Sequence, residues 1–287
     1  MKSQILISTC LFAASCLFAA STATAQTTVE KKGRSFASAQ EAANALIEAA
    51  EKYDQAVLTE ILGPNSYDII HTGEPARDRE VAQTFAEQAR IKTNIKLQPK
   101  NPRRAILEIG EDNWPFAVPI VKVGSTWSFD AVAGRQELLY RRIGSNELDV
   151  IAICRSYVEA QHEYALHKRG TIGQNQYAQR IISTPGMQDG LAWQNSDGTW
   201  GGPIGENVAA AIARGYTNRS EPYHGYFFKV LKGQGANAPL GEMDFVVKGA
   251  MIGGFALIAF PAQYRLTGVK TLMVSHDGVI YEKDQIG

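Results

Sequence analysis

Apolar residues recur at intervals of three and four in the first part of the chain, a spacing typical of amphipathic helices. Ser38 and Glu41 form an S-x-x-E pattern, which predicts a helix start because both side chains can cap free backbone N–H groups. The same spacing predicts further helices over residues 54–62 and 77–91, and Gly63-Pro64-Asn65 is a stop signal after the first of them. The region therefore begins as a group of helices.

Short apolar runs with strand character follow these helices. They cover residues 105–109 and 116–123, and Gly124-Ser125 predicts a turn into a further strand at 126–129. Helices followed by an antiparallel hairpin predict an α+β domain over residues 35–145. In outline, this order of elements is similar to NTF2-like cone folds, in which helices pack against a curved sheet.

The second part of the chain opens with its longest helical pattern, over residues 146–168. A shorter helical turn is predicted at 177–182, and the Gly-, Pro- and Trp-rich residues 183–205 predict a loop. The remaining elements are a brief helix at 207–213 and strands at 226–231, 244–247, 255–260, 271–275 and 279–282. We therefore predict a second α+β domain over residues 146–287, a long helix followed by an antiparallel meander.

The N-terminus has the pattern of a secretory signal peptide. Lys2 supplies a positive charge, and residues 5–20 form an apolar run that is shorter than the ~20 residues a spanning helix needs. The small residues Ala23-Thr24-Ala25 then predict cleavage between Ala25 and Gln26.

We accordingly predict a signal peptide over residues 1–25 and a flexible leader over 26–34. The mature protein is expected to be periplasmic or secreted, with no transmembrane segment after cleavage. The alternatives are an uncleaved membrane helix and a lipid-anchored start at Cys16.

Charge and cysteine content narrow the class of protein. The chain has 29 basic and 29 acidic residues, so it lacks the positive surplus with which nucleic-acid-binding proteins neutralise phosphates. Cleavage would leave Cys154 as the single cysteine, which excludes an internal disulfide. The apolar neighbours of Cys154 at helical spacing predict a buried side chain.

The sequence contains no pattern that predicts a metal or a cofactor. His162 and His167 lie five residues apart, so a regular helix would point them in different directions and they could not share a metal ion. The chain has neither the Gly-x-Ser-x-Gly motif of serine hydrolases nor the phosphate-binding loop of nucleotide-binding proteins.

One candidate binding site is an aromatic loop. Tyr223, His224 and Tyr226 lie at the entrance to a predicted strand, and Trp193 lies in the long loop before it. Exposed aromatic residues on loops often anchor ligands, which favours binding here. The other interpretation is structural, with the tyrosines tying the loop to the sheet.

Acidic residues suggest a catalytic alternative. Asp189 or Asp277 could orient His224 for acid–base chemistry, and His276 beside Asp277 offers a second such pair. Adjacent residues in a tight turn diverge, however, which favours a simple hairpin turn at His276 and Asp277.

Seven motifs in order resemble domain-of-unknown-function family 2950, a family of secreted bacterial proteins. These motifs are Asp112-Asn113-Trp114-Pro115-Phe116, Arg141-Arg142-Ile143-Gly144-Ser145-Asn146-Glu147, Tyr177-Ala178-Gln179, Ser183-Thr184-Pro185-Gly186, Asp189-Gly190-Leu191, Pro222-Tyr223-His224-Gly225-Tyr226 and His276-Asp277-Gly278-Val279-Ile280-Tyr281. The resemblance covers residues 36–284 and implies a secreted protein of two α+β halves. It implies no activity.

The second half also resembles the globular part of type IV pilins and pseudopilins. Residues 225–228, 259–261 and 277–280 carry this resemblance. The long helix departs from the pilin pattern because it contains the charged residues Glu147, Asp149, Arg155, Glu159 and Glu163. Such a helix is unsuited to a membrane or a fibre core, so the resemblance implies a soluble pilin-like module.

Three functions are therefore open. The first is a non-enzymatic module that binds an envelope protein or helps to assemble an envelope structure, in an oligomeric state that the sequence does not specify. The second is an envelope hydrolase that uses His224 with Asp189 or Asp277. The third is a small-molecule-binding cone lined by Trp114, Phe116 and Trp127.

Overall fold

The computed structural model describes residues 33–169, 173–216 and 220–284. The predicted signal peptide, its cleavage site between Ala25 and Gln26, and the leader up to residue 32 lie outside these described residues. The described residues form a mixed α+β fold. Helices come first, a long helix follows, and the rest of the chain is built mainly of antiparallel sheets.

The first region packs helices against one antiparallel sheet. Its helices are α1 (Ala39–Lys52), α2 (Gln55–Leu62), α3 (Tyr67–Ile70) and α4 (Pro75–Ile91), with a 3-10 turn at Pro64–Ser66. Its strands are β1 (Thr93–Gln98), β2 (Asn101–Ile109), β3 (Trp114–Pro115), β4 (Ile120–Val123) and β5 (Thr126–Phe129). The strands pair in the order β1-β2-β4-β5, with β3 beside β2.

The helix starts predicted at Ser38 and Asp54 are confirmed. The Ser38 hydroxyl accepts a hydrogen bond of 3.0 Å from the N–H of Glu41, and the Glu41 carboxylate accepts one of 3.0 Å from the N–H of Ala37. Asp54 caps α2 by accepting a bond of 3.1 Å from the N–H of Val57. These caps satisfy N–H groups that the helices leave free.

Helix α5 (Ala131–Ala165) begins at Ala131, well before the predicted start at Asn146. Asp130 caps it by accepting a 3.0 Å bond from the N–H of Ala133. A Cβ at Gly134 would overlap the backbone of Val118, so glycine lets the first turns of the helix lie directly on the segment before β4. This tertiary contact supports turns in which the sequence shows no clear apolar stripe. The predicted domain boundary after residue 145 falls inside the helix.

The second region is built from strands. Its elements are β6 (Lys168–Arg169), β7 (Gln174–Asn175), β8 (Arg180–Ile182), β9 (Gly190–Gln194), β10 (Trp200–Gly201), α6 (Gly205–Ala213), β11 (Tyr226–Leu231), β12 (Gly233–Gln234), β13 (Met243–Asp244), β14 (Val246–Val247), β15 (Ala250–Met251), β16 (Ala256–Pro261), β17 (Lys270–Ser275) and β18 (Ile280–Asp284). Strands β11, β16, β17 and β18 form an antiparallel sheet in that order, and a small sheet β10-β9-β8 contains a parallel β8–β9 pair.

Two predictions for this region are wrong. Residues 177–182 form no helical turn, because Gln161 of α5 donates a 2.9 Å bond to the carbonyl of Ala178 and accepts a 2.8 Å bond from its N–H. Both backbone groups of Ala178 are thus taken by a side chain that is distant in sequence. The predicted loop over 183–205 contains β9 and β10, which complete the small sheet.

The two regions have separate hydrophobic cores. The first includes Ala42, Leu46, Ile61, Leu107 and Ile120, and the second includes Cys154, Tyr157, Tyr226, Phe255 and Leu257. Cys154 is fully buried as predicted, and burial raises the pKa of its thiol to about 11. In the described part of the chain, no helix is long and apolar enough to cross a membrane.

Candidate functional site

A cavity of about 800 Å³ is lined by residues of both α4 and α5 in the first region. Its apolar side chains come from the helices and from the segment around β3. They include Leu46, Leu58, Leu62, Ile70, Phe85, Trp114, Phe116 and Leu138. Cavities of roughly 300–1,000 Å³ with mostly apolar walls hold small molecules in proteins.

Polar groups of the cavity gather at the start of α4. Glu74 precedes the helix, and Arg77 and Asp78 lie in its first turns. Arg142 and Asn146 on α5 also line the cavity. The cavity therefore combines an apolar wall with a group of polar and charged side chains.

Glu74 is the most deeply buried acid of this group, with 3% of its surface exposed. Its carboxylate accepts hydrogen bonds from the backbone N–H groups of Gly225 and His224, and its Oε2 accepts one of 3.4 Å from the Tyr216 hydroxyl. Burial disfavours the charged form and raises the pKa of Glu74 to about 7, despite these hydrogen bonds. Glu74 thus joins the first region to the loop that precedes β11.

Asp78 lies one helical turn further along α4. Its carboxylate accepts bonds of 3.0 Å from the N–H and 2.6 Å from the hydroxyl of Thr72. Burial raises the pKa of Asp78, and the charge of Arg142 opposes that rise. Arg142 itself donates a bond of 3.0 Å to the carbonyl of Ile69, and burial lowers the pKa of its guanidinium.

His224 lies beside this group and is held by an acid of α5. Its Nδ1 is 2.7 Å from Asp149 Oδ2, and Arg77 donates a bond of 3.1 Å to the same oxygen. Burial lowers the pKa of His224, while the hydrogen bond and charge of Asp149 act in the opposite direction. Helix α4, helix α5 and the loop before β11 therefore meet through Arg77, Asp149 and His224.

The geometry of the turn explains the position of His224. Tyr223 and Tyr226 exchange backbone hydrogen bonds of 2.9 and 3.2 Å around a two-residue turn. The central residues His224 and Gly225 both have positive φ angles, 51° and 75°, which is the backbone of a tight hairpin turn. A side chain at Gly225 would overlap Asn146, so glycine is required there for close packing on α5.

A family model described as "Protein of unknown function (DUF2950)" matches residues 33–287. The chain belongs to the DUF2950 family. This confirms the family resemblance carried by the seven motifs. Comparisons with curated proteins and with solved structures find no match, so they offer no support for the resemblance to type IV pilins.

In this DUF2950 protein, the aromatic residues of the predicted loop site have different surroundings. The Tyr223 ring packs edge-on against Tyr216 at 4.8 Å and against His224 at 4.4 Å. Tyr226 is fully buried in the second core, and its hydroxyl donates a 3.0 Å bond to the carbonyl of Lys270. Tyr226 therefore has no surface to offer a ligand, contrary to its predicted place in a binding patch.

The acids expected near His224 are engaged elsewhere. Asp189 accepts bonds of 2.8 Å from both the N–H and the hydroxyl of Thr184. Asp277 accepts bonds from the Ser275 hydroxyl at 2.7 Å and the Val279 N–H at 3.0 Å, as an acid in a hairpin turn does. The partner of His224 is Asp149, in place of the Asp189 or Asp277 that we expected.

The other two members of the predicted site lie against the second core. The His276 ring meets Phe255 edge-on at 6.4 Å, and the Trp193 ring packs against the backbone at Gly202. Neither joins His224 in the group formed with Arg77 and Asp149.

Two of the three residues predicted to line a cone do line the cavity. Trp114 and Phe116 form part of its wall, and the guanidinium of Arg141 lies 4.4 Å from the Trp114 ring centre. Trp127 instead pairs with Phe36 through the backbone and lies under the Lys122 amine. In the ranges 33–169, 173–216 and 220–284, no group of three His, Cys, Asp or Glu side chains is placed to hold a metal ion.

Sequence reasoning missed Glu74, Arg77 and Asp149 as members of a site. The one local signal at Glu74 is Pro75 after it, since proline is common at the first position of a helix. Asp149 appeared only as a charge on a predicted helix. Their roles depend on contacts with the turn at His224 and Gly225, far away in the sequence.

Proposed function

We propose that this protein is an exported binding protein that holds a small, largely apolar molecule in the cavity between α4 and α5. The cavity of about 800 Å³ carries the proposal, because its size and apolar wall suit a small molecule. Glu74, Arg77, Asp78 and Arg142 supply the few polar groups that such sites use to orient a ligand.

Two further observations support this proposal. Helices followed by an antiparallel sheet, with one cavity in their midst, fit an NTF2-like arrangement of the first region. The signal-like pattern of residues 1–25 supports export to the periplasm or the medium. Binding of an envelope protein, the other non-enzymatic role suggested by the sequence, stays a prediction.

The experiment is titration with the fluorescent apolar probe N-phenyl-1-naphthylamine. The probe should brighten on binding to the native protein. Ala82→Phe should reduce the affinity by about tenfold or more, since Ala82 lines the cavity and the larger ring would occupy it. The matched control is Gln83→Phe, one residue along the same helix but exposed and outside the cavity lining. Equal probe binding by both variants would exclude this cavity as the site.

A second candidate function is proton transfer by His224. With Nδ1–H donated to Asp149, the unprotonated Nε2 can act as a base, and no hydrogen bond to it is found among the described residues. This observation favours the enzyme hypothesis in a modified form, with Asp149 as the orienting acid.

Hydrolysis of p-nitrophenyl butyrate tests the second candidate. His224→Gln should lower any activity by about 100-fold, in line with the usual contribution of a general base. His276→Gln is the control, because His276 lies against Phe255 and away from Asp149. An unchanged rate in His224→Gln would exclude this role.

A further inference from the structure

We infer that the ligand of the cavity carries a cationic group, such as a primary ammonium, which binds at Glu74 and Asp78. This inference rests on the proposed function, because it names the chemical class of the molecule that the cavity holds. The positions of the charges around the cavity carry it.

The first observation is that both carboxylates lack an ion-pair partner. No side-chain nitrogen of a described lysine, arginine or histidine lies within 4.0 Å of the Glu74 or Asp78 carboxylate. Their hydrogen bonds come from backbone N–H groups and from hydroxyls, none of which carries a full charge. Buried carboxylates are normally paired with a cation. The carboxylates of Glu74 and Asp78 therefore leave a position that the cationic group of a ligand can occupy.

The second observation is that two arginines of the cavity lining, Arg77 and Arg141, already pair with other acids. Arg77 bonds to Glu80 at 3.3 Å and to Asp149 at 3.1 Å, so its charge is already neutralised. Arg141 also lines the cavity, but it pairs with Glu137 at 2.8 Å and its guanidinium lies over the Trp114 ring. Among the described arginines that line the cavity, this leaves Arg142 to balance Glu74 and Asp78, so above about pH 7 one positive charge faces two carboxylates.

The third observation is the arrangement of the two acids. Glu74 and Asp78 are separated by four residues, and the N–H of Asp78 donates a 2.9 Å bond to the carbonyl of Glu74. Glu74 is the N-cap residue of α4, so this backbone bond places the two acids side by side at the start of the helix, where the charge of Asp78 acts on Glu74. An ammonium group has three donors and can therefore bridge the two carboxylates, while its apolar chain lies along Phe85 and Leu138.

The pKa values agree with this placement. Burial raises the pKa of both Glu74 and Asp78, which means that each carboxylate is insufficiently stabilised as an anion. A cation between them would favour the charged forms. A carboxylate ligand would instead add a further negative charge at this end.

Three eight-carbon probes test the inference: octylamine, octanol and octanoate. Calorimetric titration at about pH 8, above the pKa of Glu74, compares a cationic, a neutral and an anionic head on one chain. We expect octylamine to bind about tenfold or more tightly than the other two. In Glu74→Gln and in Asp78→Asn that preference for octylamine over octanol should fall severalfold, because each change removes one carboxylate.

The control variant is Glu87→Gln, which alters an exposed acid of α4 outside the cavity lining. Octanol or octanoate binding as tightly as octylamine would overturn the inference and leave the proposed function in place. Failure of all three probes to bind would instead count against the proposed function itself. The comparison of probes on the unaltered protein does not depend on the folding of any variant.

Discussion

The two regions of this protein fill their hydrophobic cores with different kinds of side chain. The core of the first region is rich in alanine, including Ala42, Ala43, Ala49 and Ala50 of α1, and the cavity lies beside it. The core of the second region contains large buried rings, including Tyr157, Tyr226, Phe245 and Phe255. Small side chains bring helices close together but fill little volume, whereas aromatic side chains fill the space between a helix and a sheet.

From this difference we expect the first region to hold the ligand and the second region to support it. The cavity wall leaves apolar side chains such as Phe85 only partly covered, so binding a molecule there would complete the packing. The turn of His224 and Gly225 belongs to the second region and leads into its antiparallel sheet. Its hydrogen bonds to Asp149 and Glu74 place it at the polar end of the cavity. Four experiments test this comparison, beginning with the largest expected effect.

Removing a ring from each region tests the contrast in packing. Phe255→Ala should lower the free energy of unfolding by about 3–5 kcal/mol, because Phe255 is fully buried against Tyr157 and Tyr177. Phe85→Ala on the cavity wall should cost less, since its ring is only partly buried. Urea unfolding measures both, and equal losses would contradict the comparison.

The acid between the regions should make stability depend on pH. Burial raises the pKa of Glu74 to about 7 in the folded protein, above the ordinary value of 4.5, so the folded state holds its proton more tightly. The stabilisation from the protonated Glu74 carboxyl is fully present below about pH 4.5 and is lost as pH rises through 7. The loss lowers the free energy of unfolding by roughly 3 kcal/mol.

The test is urea unfolding of the native protein and of Glu74→Gln between about pH 5 and pH 8. As pH rises, the free energy of unfolding of Glu74→Gln should increase relative to that of the native protein. The reason is that glutamine keeps an acceptor for the Gly225 N–H without acquiring charge. Parallel pH profiles would show that Glu74 titrates normally.

The turn that joins the regions should have a structural role as well. His224→Ala combined with Tyr223→Ala should lower the free energy of unfolding by roughly 1–3 kcal/mol, through loss of the bond to Asp149 and of the ring contact with Tyr216. His167→Ala, at an exposed position, should stay within about 0.5 kcal/mol. A double variant as stable as this control would show that the turn does not join the two regions energetically.

The smallest effect belongs to a purely local feature of the first region. Ser38→Ala removes the cap of α1 and should cost about 1 kcal/mol. Thermal unfolding of this variant beside Ser196→Ala, an exposed turn position, measures the cap alone. Equal melting temperatures would indicate that packing of α1, and not its cap, determines its stability.

The features that could be predicted from sequence depend on neighbours a few residues apart. The caps at Ser38 and Asp54 and the turn at Asp277 bond within four residues, so their chemistry is visible in short motifs. Alternation along β11 is a feature of the same kind: Tyr226 and Phe228 face the second core, while Phe227 packs on Phe260. The family resemblance followed from motifs of the same kind.

The site was decided by tertiary structure. Glu74 bonds to Gly225, and His224 bonds to Asp149, across 151 and 75 residues of sequence respectively. The strand at Arg180–Ile182 likewise depends on its parallel pairing with Gly190–Gln194, and Gln161 of α5 bonds to both backbone groups of Ala178 just before it. Sequence patterns encode local periodicity and capping, whereas burial and long-range hydrogen bonds arise only when distant segments pack together. Glu74 is at the centre of the candidate site because of that burial and those long-range bonds, which its local sequence does not encode.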